Sequence, residues 1–225
     1  IYGLIGFKIG GLKLSLTIVA SFLFITFTGV LPQALLSIYL CGIAVIISFI
    51  LGSSLGIWAA HNDKVSAFMR PINDTMQTMP SFVILIPFVM FFGIGEFTAL
   101  LAIIAYAFVP AMRYTEHGLR NLPETVIEAA RMIGCSQTQL LWKVKIPLAM
   151  PVIMLGLNQT IMFGLAMLVI AALVGTTGLG QLIYIGLSKA DFGTGMISGV
   201  SIALIAIIFD RTTQAWRIKL EKKTQ

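Results

Sequence analysis

Long apolar stretches separated by short polar connections dominate this chain. The hydrocarbon core of a bilayer is about 30 Å thick, and about 20 mostly apolar residues in one helix are needed to cross it. Uncharged runs near or above this length begin six times along the sequence. The pattern therefore predicts six membrane-crossing helices, within residues 14–31, 34–60, 75–95, 97–112, 146–188 and 192–209.

Proline and glycine indicate where these runs break. Pro32 is expected to end the first helix, and Pro80 and Pro87 predict a broken or kinked third helix. The fifth run is uncharged for 43 residues, which is too long for one simple crossing. The glycine-rich segment 175–180, GTTGLG, is expected to divide it into a span and a short helix that lies along the membrane or re-enters it.

Two glycines in the second run predict a close contact between helices. Gly52 and Gly56 are four residues apart and therefore share one helix face. This small-x-x-x-small spacing lets the backbone of another helix approach.

The composition sets the fold class. Hydrophobic residues make up 58% of the chain and charged residues 11%, whereas soluble domains average about 45–50% and about 25%. So few charges fit a soluble domain poorly. We predict an all-α integral membrane protein, a polytopic helical bundle that forms one transmembrane domain over residues 1–225. Cys41 and Cys135 are expected at different depths, without a disulfide.

The basic residues predict the orientation of the bundle. Six crossings place both termini on one side of the membrane, together with fourteen of the fifteen Lys and Arg; Lys189 is the exception. Because basic residues are enriched in cytoplasmic loops, both termini are predicted to be cytoplasmic. This bias explains the net charge of +6, so nucleic acid is not an expected partner. The chain begins at Ile1 without a signal peptide, and we expect sequence to precede it.

The acidic residues avoid the middle of every predicted span. Glu96 falls at an outer turn and Asp210 at the inner end of the last helix. Ion-coupled transporters commonly carry buried ionisable residues near the membrane midplane, although some bind ions through the carbonyls of broken helices. The pattern disfavours a gradient-driven transporter without excluding it.

The segment 121–147 concentrates charge in the middle of an apolar chain. Pro123 suits the first position of a helix, and Glu128 and Arg131 are spaced to pair on its polar side. A narrow apolar stripe follows helical periodicity on another face. The stripe consists of Val126, Ala129, Ala130 and Ile133.

A second helix is expected directly after the first. Gly134 is placed to end the first helix, and the sequence SQTQ at residues 136–139 is a capping box for a second helix that runs to Pro147. Both helices would be cytoplasmic. The residues alone leave two alternatives equally open: helices that lie on the membrane surface, or helices that dock onto a protein.

The spacing within this segment resembles a motif of a known family. Glu-Ala-Ala is followed after three residues by Gly and after nine more by Val-Lys-Ile-Pro. This is similar to permease subunits of binding-protein-dependent ABC importers, with two aliphatic positions conservatively changed. The resemblance implies a coupling helix, within about 121–147, that docks into a groove on a cytoplasmic ATPase. The implied docking residues are Glu128, Ala129, Ala130, Gly134, Ile146 and Pro147.

Further stretches, from about residue 33 to 216, resemble the glycine betaine and proline betaine permeases of this family. They are LGIWAA from Leu55, MQTMPSFVILIP from Met76, FFGIG from Phe91, PLAMPVIMLGLNQTIM from Pro147, GLGQ from Gly178 and DRTTQA from Asp210. The resemblance implies a permease subunit of an ATP-driven importer for a betaine-like quaternary or methylated amine. It would lie in the plasma (inner) membrane of a bacterium or archaeon.

The resemblance also implies partners. They are the lipid bilayer, a second copy of the chain, two cytoplasmic ABC ATPase subunits and an extracytoplasmic substrate-binding protein. The ATPase would bind ATP and Mg²⁺, so no cofactor, metal or catalytic residue is expected in this chain. The sequence has no G-x-x-x-x-G-K-[ST] phosphate loop, and His61 and His117 lack metal-ligand spacing.

Several residues inside the predicted spans are candidates for a translocation path or gate. Prolines could bend a gate, soft or aromatic side chains could contact a methylated cation, and amides could line a path. The alternatives are packing for the Met and Phe side chains and hydrogen bonds to a neighbouring helix for the amides. The candidates are Met79, Pro80, Phe82, Asn158, Gln159 and Met162.

Three other functions stay open. The chain could import another small solute, such as choline, trimethylamine N-oxide or an amino acid. It could be a gradient-driven transporter, which would respond to ionophores, or a membrane scaffold that transports nothing. A neighbouring coding sequence for an ATPase and a secreted binding protein would favour the importer.

Overall fold

The structure, a computed structural model, describes the backbone of residues 2–224 and the side chains of residues 11–219. Every regular element in this part is a helix, which confirms the all-α class. The α-helices are α1 Tyr2–Phe27, α2 Leu31–His61, α3 Asp63–Thr78, α4 Ser81–Phe92, α5 Glu96–Arg120, α6 Glu124–Met132, α7 Gln137–Gln139, α8 Ile146–Ala171, α9 Leu179–Ser188 and α10 Phe192–Thr224. A π-helix, Leu140–Lys145, joins α7 to α8, and a 3₁₀ turn, Ala172–Val174, follows α8.

Several of these helices are long and apolar enough to cross a membrane. Over the described residues there are four: α2, α5, the continuous segment Gln137–Val174, and α10 from Phe192 to Lys219. α3 and α4 together make a fifth candidate, bent by 103° at their junction. Gly11–Phe27 and α9 are shorter apolar helices. The chain is a multi-pass membrane protein, and the count of six crossings stays a prediction.

The predicted breaks fall partly at other residues. α1 ends at Phe27 and Gly29 turns the chain with φ 77°, whereas Pro32 lies in the first turn of α2. An N–H in the first turn has no partner within the helix, so proline is tolerated there. The third run does break at Pro80, which caps α4, but Pro87 lies inside α4. With twelve residues, α4 alone is shorter than a bilayer crossing.

α2 and α5 pack together through the two glycines predicted for this role. A Cβ added at Gly52 would lie 2.5 Å from the carbonyl oxygen of Phe108, and one added at Gly56 would lie 2.6 Å from that of Met112. Both neighbours are backbone atoms that cannot rotate away. The absence of a side chain at these two glycines therefore sets the distance between α2 and α5. α8 packs against both of them, and Ile103, Leu165 and Leu168 are buried in the resulting core.

The segment 175–180 breaks the fifth run as predicted. Gly175 is left-handed with φ 78°, and Gly178 has φ 121°. The segment is fixed to the bundle from two sides, because the backbone N–H of Leu179 donates to Ser37 Oγ at 2.9 Å and Thr177 Oγ1 donates to Glu96 at 2.5 Å. The orientation of α9 relative to the membrane stays a prediction.

α9 and α10 form a tight hairpin. Gly186 and Gly195 face each other so closely that a Cβ on Gly186 would lie 2.6 Å from the backbone nitrogen of Gly195. Asp191 closes the turn, accepting from Thr194 Oγ1 at 2.7 Å and from its backbone N–H at 3.2 Å. These hydrogen bonds from Thr194 hold the pKa of Asp191 below its usual value.

Candidate functional site

α6 stands out from the bundle as a short, exposed helix. Pro123 is its N-cap and Glu124 its first residue, so the helix begins one residue later than predicted. Ala130 is buried, whereas Glu128 and Ala129 are exposed and Ile133 keeps 84% of its surface. The predicted apolar stripe thus packs on the protein at Ala130. Its other residues are exposed, and they lie beside the carboxylate of Glu128.

Gly134 ends α6 as predicted. Its φ of 87° is left-handed, a conformation that other L-residues rarely adopt. The N–H of Cys135 donates to the carbonyl of Ala130 at 3.2 Å, and the N–H of Gly134 donates to that of Arg131 at 2.9 Å. This pair of bonds is a Schellman motif, which fixes the direction in which the chain leaves α6.

The predicted ion pair within α6 is wrong. In the described part of the chain, Glu128 and Arg131 have no ion pair with each other, and both side chains are exposed. A solvent-exposed pair of this kind contributes little free energy, because water competes for both charges. Glu128 is therefore left facing outward.

The capping box after α6 is confirmed. Ser136 Oγ accepts from the N–H of Gln139 at 3.3 Å, and the N–H of Ser136 donates to Gln139 Oε1 at 3.0 Å. The expected end of this second helix at Pro147 is wrong, because the helix continues to Val174. Its π-helical turn shifts the bonding register, so that Ile146 N–H donates to Leu141, and proline is accommodated without a break.

The predicted docking residues therefore lie on two elements. Glu128, Ala129, Ala130 and Gly134 belong to α6 and its cap, and α6 packs against the π-helical turn. Ile146 and Pro147 lie at the start of α8, where Ile146 packs on Leu119 and Ala149. The docking role of these residues stays a prediction.

Sequence reasoning missed a row of polar contacts between α3 and α5. At one end, Arg120 Nη1 donates to Asp63 at 2.8 Å and Arg120 Nε lies 3.0 Å from Glu116. Ser66 Oγ donates to the same Glu116 carboxylate at 2.5 Å, and Arg120 Nη2 reaches the carbonyl of Ala59 at 2.6 Å. These contacts join the end of α2 and the start of α3 to the last turn of α5.

The row continues toward the bend between α3 and α4. Asn73 Nδ2 donates to Met112 Sδ at 3.4 Å. Arg113 Nη1 donates to Gln77 at 2.6 Å, and Arg113 Nη2 pairs with Asp74. We call the full set the α3–α5 ladder: Asp63, Ser66, Asn73, Asp74 and Gln77 on α3, with Met112, Arg113, Glu116 and Arg120 on α5. Its residues Arg113, Glu116 and Arg120 lie in the part of α5 that extends beyond the predicted end at residue 112.

The ladder could have been found from side-chain periodicity. Its α3 residues are spaced by three, seven, one and three positions, which keeps them on one helix face. Its α5 residues follow the same rule. Residues 61–74 lie between predicted spans and contain no long apolar run, so apolar length alone gives no sign of this contact.

Asn158 links α8 to α10. Its Nδ2 donates to Asp210 at 2.9 Å, and its Oδ1 accepts from Thr213 Oγ1 at 2.6 Å. Gln214 Nε2 donates to both Asp210 oxygens at 2.8 Å. The sequence DRTTQA at the end of α10 thus has a structural reason. Asn158 follows the alternative noted for such amides, a hydrogen bond to a neighbouring helix, and its role in a path stays a prediction.

The other path candidates lie at two places. Met79 and Pro80 form the connection between α3 and α4, and Phe82 lines an apolar cavity of about 270 Å³ with residues of α4 and of the 3₁₀ turn. Gln159 and Met162 are half-buried in α8, and Met162 packs on the main core. The structure therefore does not gather these candidates into one pocket.

Comparison with known proteins identifies the chain's relatives. It is 40% identical over 215 residues to the glycine betaine/proline betaine transport system permease protein ProW of Escherichia coli, covering 96% of this chain and 61% of that protein. It is 43% identical to the trimethylamine N-oxide transport system permease protein TmoV of Pelagibacter ubique, over 96% of this chain and 30% of that one. The glycine betaine transport system permease protein OpuAB of Bacillus subtilis is 38% identical, with coverages of 91% and 72%.

The fold has solved counterparts. The chain superposes on an inward-facing structure of the MetNI methionine ABC transporter with a TM-score of 0.74 at 18% identity, over 85% of this chain and 95% of that one. An amino acid ABC transporter gives 0.71 at 17% identity, with coverages of 87% and 98%. A family model matches residues 52–217. The chain belongs to the family of binding-protein-dependent transport system inner membrane components.

Proposed function

We propose that this chain is the permease subunit of an ATP-driven importer, and that α6 is its coupling helix. The observation that carries the proposal is the outward face of α6. Glu128 and Ala129 are exposed there, and Ile133 keeps 84% of its surface at a fixed helix end. Small side chains allow close approach, and an apolar residue exposed beside a carboxylate fits a protein groove better than it fits water.

The cargo that we propose is a betaine-like quaternary or methylated amine. Relatives at 38–43% identity are named as permeases for glycine betaine, proline betaine or trimethylamine N-oxide. All three cargoes carry methylated nitrogen. Since the chain spans 61% of the Escherichia coli relative, the substrate and activity of the whole protein are inferred from the part that is shared. Choline and amino acids are the alternatives.

The assembly that we propose has two copies of this chain, two cytoplasmic ATPase subunits and an extracytoplasmic binding protein. The translocation path would lie between the two copies. Supporting this, Phe82, Ile86 and Met90 on α4 are exposed apolar side chains beside the cavity of about 270 Å³. ATP and Mg²⁺ would be bound by the ATPase subunits. Both termini and α6 would be cytoplasmic, as the basic residues predict.

Uptake into proteoliposomes tests this function. The chain is reconstituted with its ATPase and binding protein, and uptake of labelled glycine betaine is measured with ATP, without ATP and with an ionophore. We expect uptake that requires ATP and survives the ionophore. Competition with unlabelled choline, trimethylamine N-oxide or an amino acid ranks the cargoes. Uptake that persists without ATP and collapses with the ionophore would establish a gradient-driven transporter instead.

A further inference from the structure

The α3–α5 ladder lies between α6, which follows α5 in the chain, and α4, which follows α3 and carries exposed apolar side chains. α6 follows α5 after three residues, 121–123. Displacement of α6 can therefore act on the last turn of α5, where Glu116 and Arg120 lie, as well as on the π-helical turn against which α6 packs. The same two side chains hold α3 through Ser66 and Asp63.

The buried part of the ladder is hydrogen-bonded around Glu116, whereas the buried Asn73 Oδ1 has no partner among the described residues. Ser66 and Asn73 each expose 2% of their surface, and Glu116 exposes 9%. A carboxylate in this setting needs its donors, because a buried charge without partners is strongly unfavourable. Glu116 has two, at 2.5 Å from Ser66 and 3.0 Å from Arg120. This part of the ladder keeps α3 and α5 moving together.

The other end of the ladder lies near the bend into α4. Arg113 contacts Asp74 and Gln77, within the last two turns of α3. Residues 79 and 80 alone separate α3 from α4. Each helix is hydrogen-bonded up to this junction, from Met79 N–H to the carbonyl of Thr75 at 2.9 Å in α3 and from Val83 N–H to the carbonyl of Pro80 at 2.9 Å in α4, and the two helices meet at a bend of 103°. A shift of α3 therefore reaches the start of α4 through a connection of two residues.

We propose that the α3–α5 ladder transmits displacement of α6 to α4, with Glu116 and Arg113 as positioning residues. The inference rests on the proposed function, since it is ATP-driven movement of α6 that the ladder would carry. Glu116 and Arg120 receive the movement from α5, and Arg113 delivers it to the end of α3. The alternative is that the ladder merely anchors α3 while α4 responds to another contact.

The Arg113–Asp74 pair offers a test that spares the fold. Their side chains are 38% and 65% exposed, so reversing either charge removes little stability. Asp74→Arg and Arg113→Asp each replace attraction by repulsion, and the two changes together restore an opposite pair. Lys64→Asp is the matched control, a charge reversal on α3 outside the ladder. Gln77→Ala is a milder variant that removes one bond to Arg113.

The readout is movement of α6 and of α4, measured separately. Spin labels are placed at Met132→Cys on α6 or Met90→Cys on α4, each paired with Met196→Cys on α10, in a Cys135→Ser background. All three methionines are exposed. Distances are recorded in the complete complex, diluted with unlabelled chain, with and without a non-hydrolysable ATP analogue. Uptake is measured in parallel, and co-purification of the ATPase confirms assembly.

In the unaltered chain we expect nucleotide to change both distances. In each single charge reversal the α6 change should persist, the α4 change should be lost and uptake should fall about tenfold. The double reversal should recover the α4 distance change and uptake. Gln77→Ala should reduce both by less than the single reversals do, and Lys64→Asp should leave both unchanged. An α4 change that survives the single reversals overturns the ladder's role and leaves the proposed function intact. An α6 distance that ignores nucleotide in the unaltered chain overturns the proposed function and this inference with it.

Discussion

At the scale of single residues, two glycines set how close α2 and α5 lie. An added Cβ at Gly56 would meet backbone of α5 at 2.6 Å. Gly56→Ala should therefore push the helices apart and lower the free energy of unfolding by about 1–3 kcal/mol. Thermal unfolding of the purified protein in detergent measures this. Gly42→Ala on the same helix is the control, since its Cβ would meet nothing within 4 Å; equal shifts for the two variants would contradict the account.

Asn158 permits a second test at this scale. Asn158→Leu keeps a similar volume but removes the hydrogen bonds to Asp210 and Thr213, at 2.9 and 2.6 Å. Because two side-chain hydrogen bonds between α8 and α10 are then lost, one of them to a carboxylate, we expect the free energy of unfolding to fall by about 1–3 kcal/mol. Gln159→Leu is the control, since its amide has no hydrogen bond to any described residue. A Gln159→Leu variant as unstable as Asn158→Leu would argue against the α8–α10 link.

Features of single residues could be predicted from the sequence where local backbone geometry alone determines them. Gly52 and Gly56, Gly134 and the Ser136 capping box were all predictable, because a missing side chain or a fixed hydrogen-bond spacing works the same way in any fold. A hydrogen bond from Asn158 to a neighbouring helix was among the predicted alternatives, but its partner was not predictable, since the position of Asp210 on a helix more than fifty residues away depends on tertiary packing. The Glu128–Arg131 pair failed because surface charges gain little from pairing.

At the scale of elements, the end of α6 is the feature to test. Gly134 has φ 87°, and a residue with a Cβ pays about 1–2 kcal/mol in the left-handed region. Gly134→Ala should loosen the Schellman motif, and amide hydrogen exchange at Gly134 and Cys135 should become faster. Asn adopts this conformation more readily, so Gly134→Asn should restore much of the protection. Slow exchange in Gly134→Ala would show that the cap does not depend on glycine.

The positions of helices were predicted well where a long apolar run ends at polar or glycine-rich sequence, as in α2 and at segment 175–180. Two failures share one cause. α3 and the start of the Gln137–Val174 helix are polar helices attached to apolar ones, and a search for apolar length divides the chain in the wrong place. The π-helical turn at Leu140–Lys145 adds to this, since it lets a helix pass through Pro147.

At the scale of the whole molecule, the orientation in the membrane rests on the distribution of charge. A membrane-impermeant maleimide should label Cys135, which is half-exposed beside α6, in inverted vesicles but not in intact cells. Lys189→Cys in a Cys135→Ser background should show the opposite pattern. Buried Cys41 is the internal control and should stay unlabelled in both. Labelling of Cys135 from outside would reverse the orientation.

The all-α membrane class and the family were both predictable, because the apolar composition holds along the whole chain and the stretches that resemble the family extend from about residue 33 to 216. The number of crossings was not. Helices such as Gly11–Phe27 and α4 are near or below the length of a bilayer crossing, so their path depends on lipid and on neighbouring chains as well as on apolar length. The α3–α5 ladder was likewise hidden, because its two halves lie on separate helices.

We propose that α6 receives the force that drives import. ATP-dependent uptake of labelled glycine betaine by the reconstituted complex, compared between the unaltered chain and Glu128→Arg, tests it most directly. Lys189→Glu, a charge reversal in the turn between α9 and α10, is the control. We predict that Glu128→Arg abolishes uptake while the chain still inserts and the control transports normally. Undiminished uptake by Glu128→Arg would contradict the role assigned to α6.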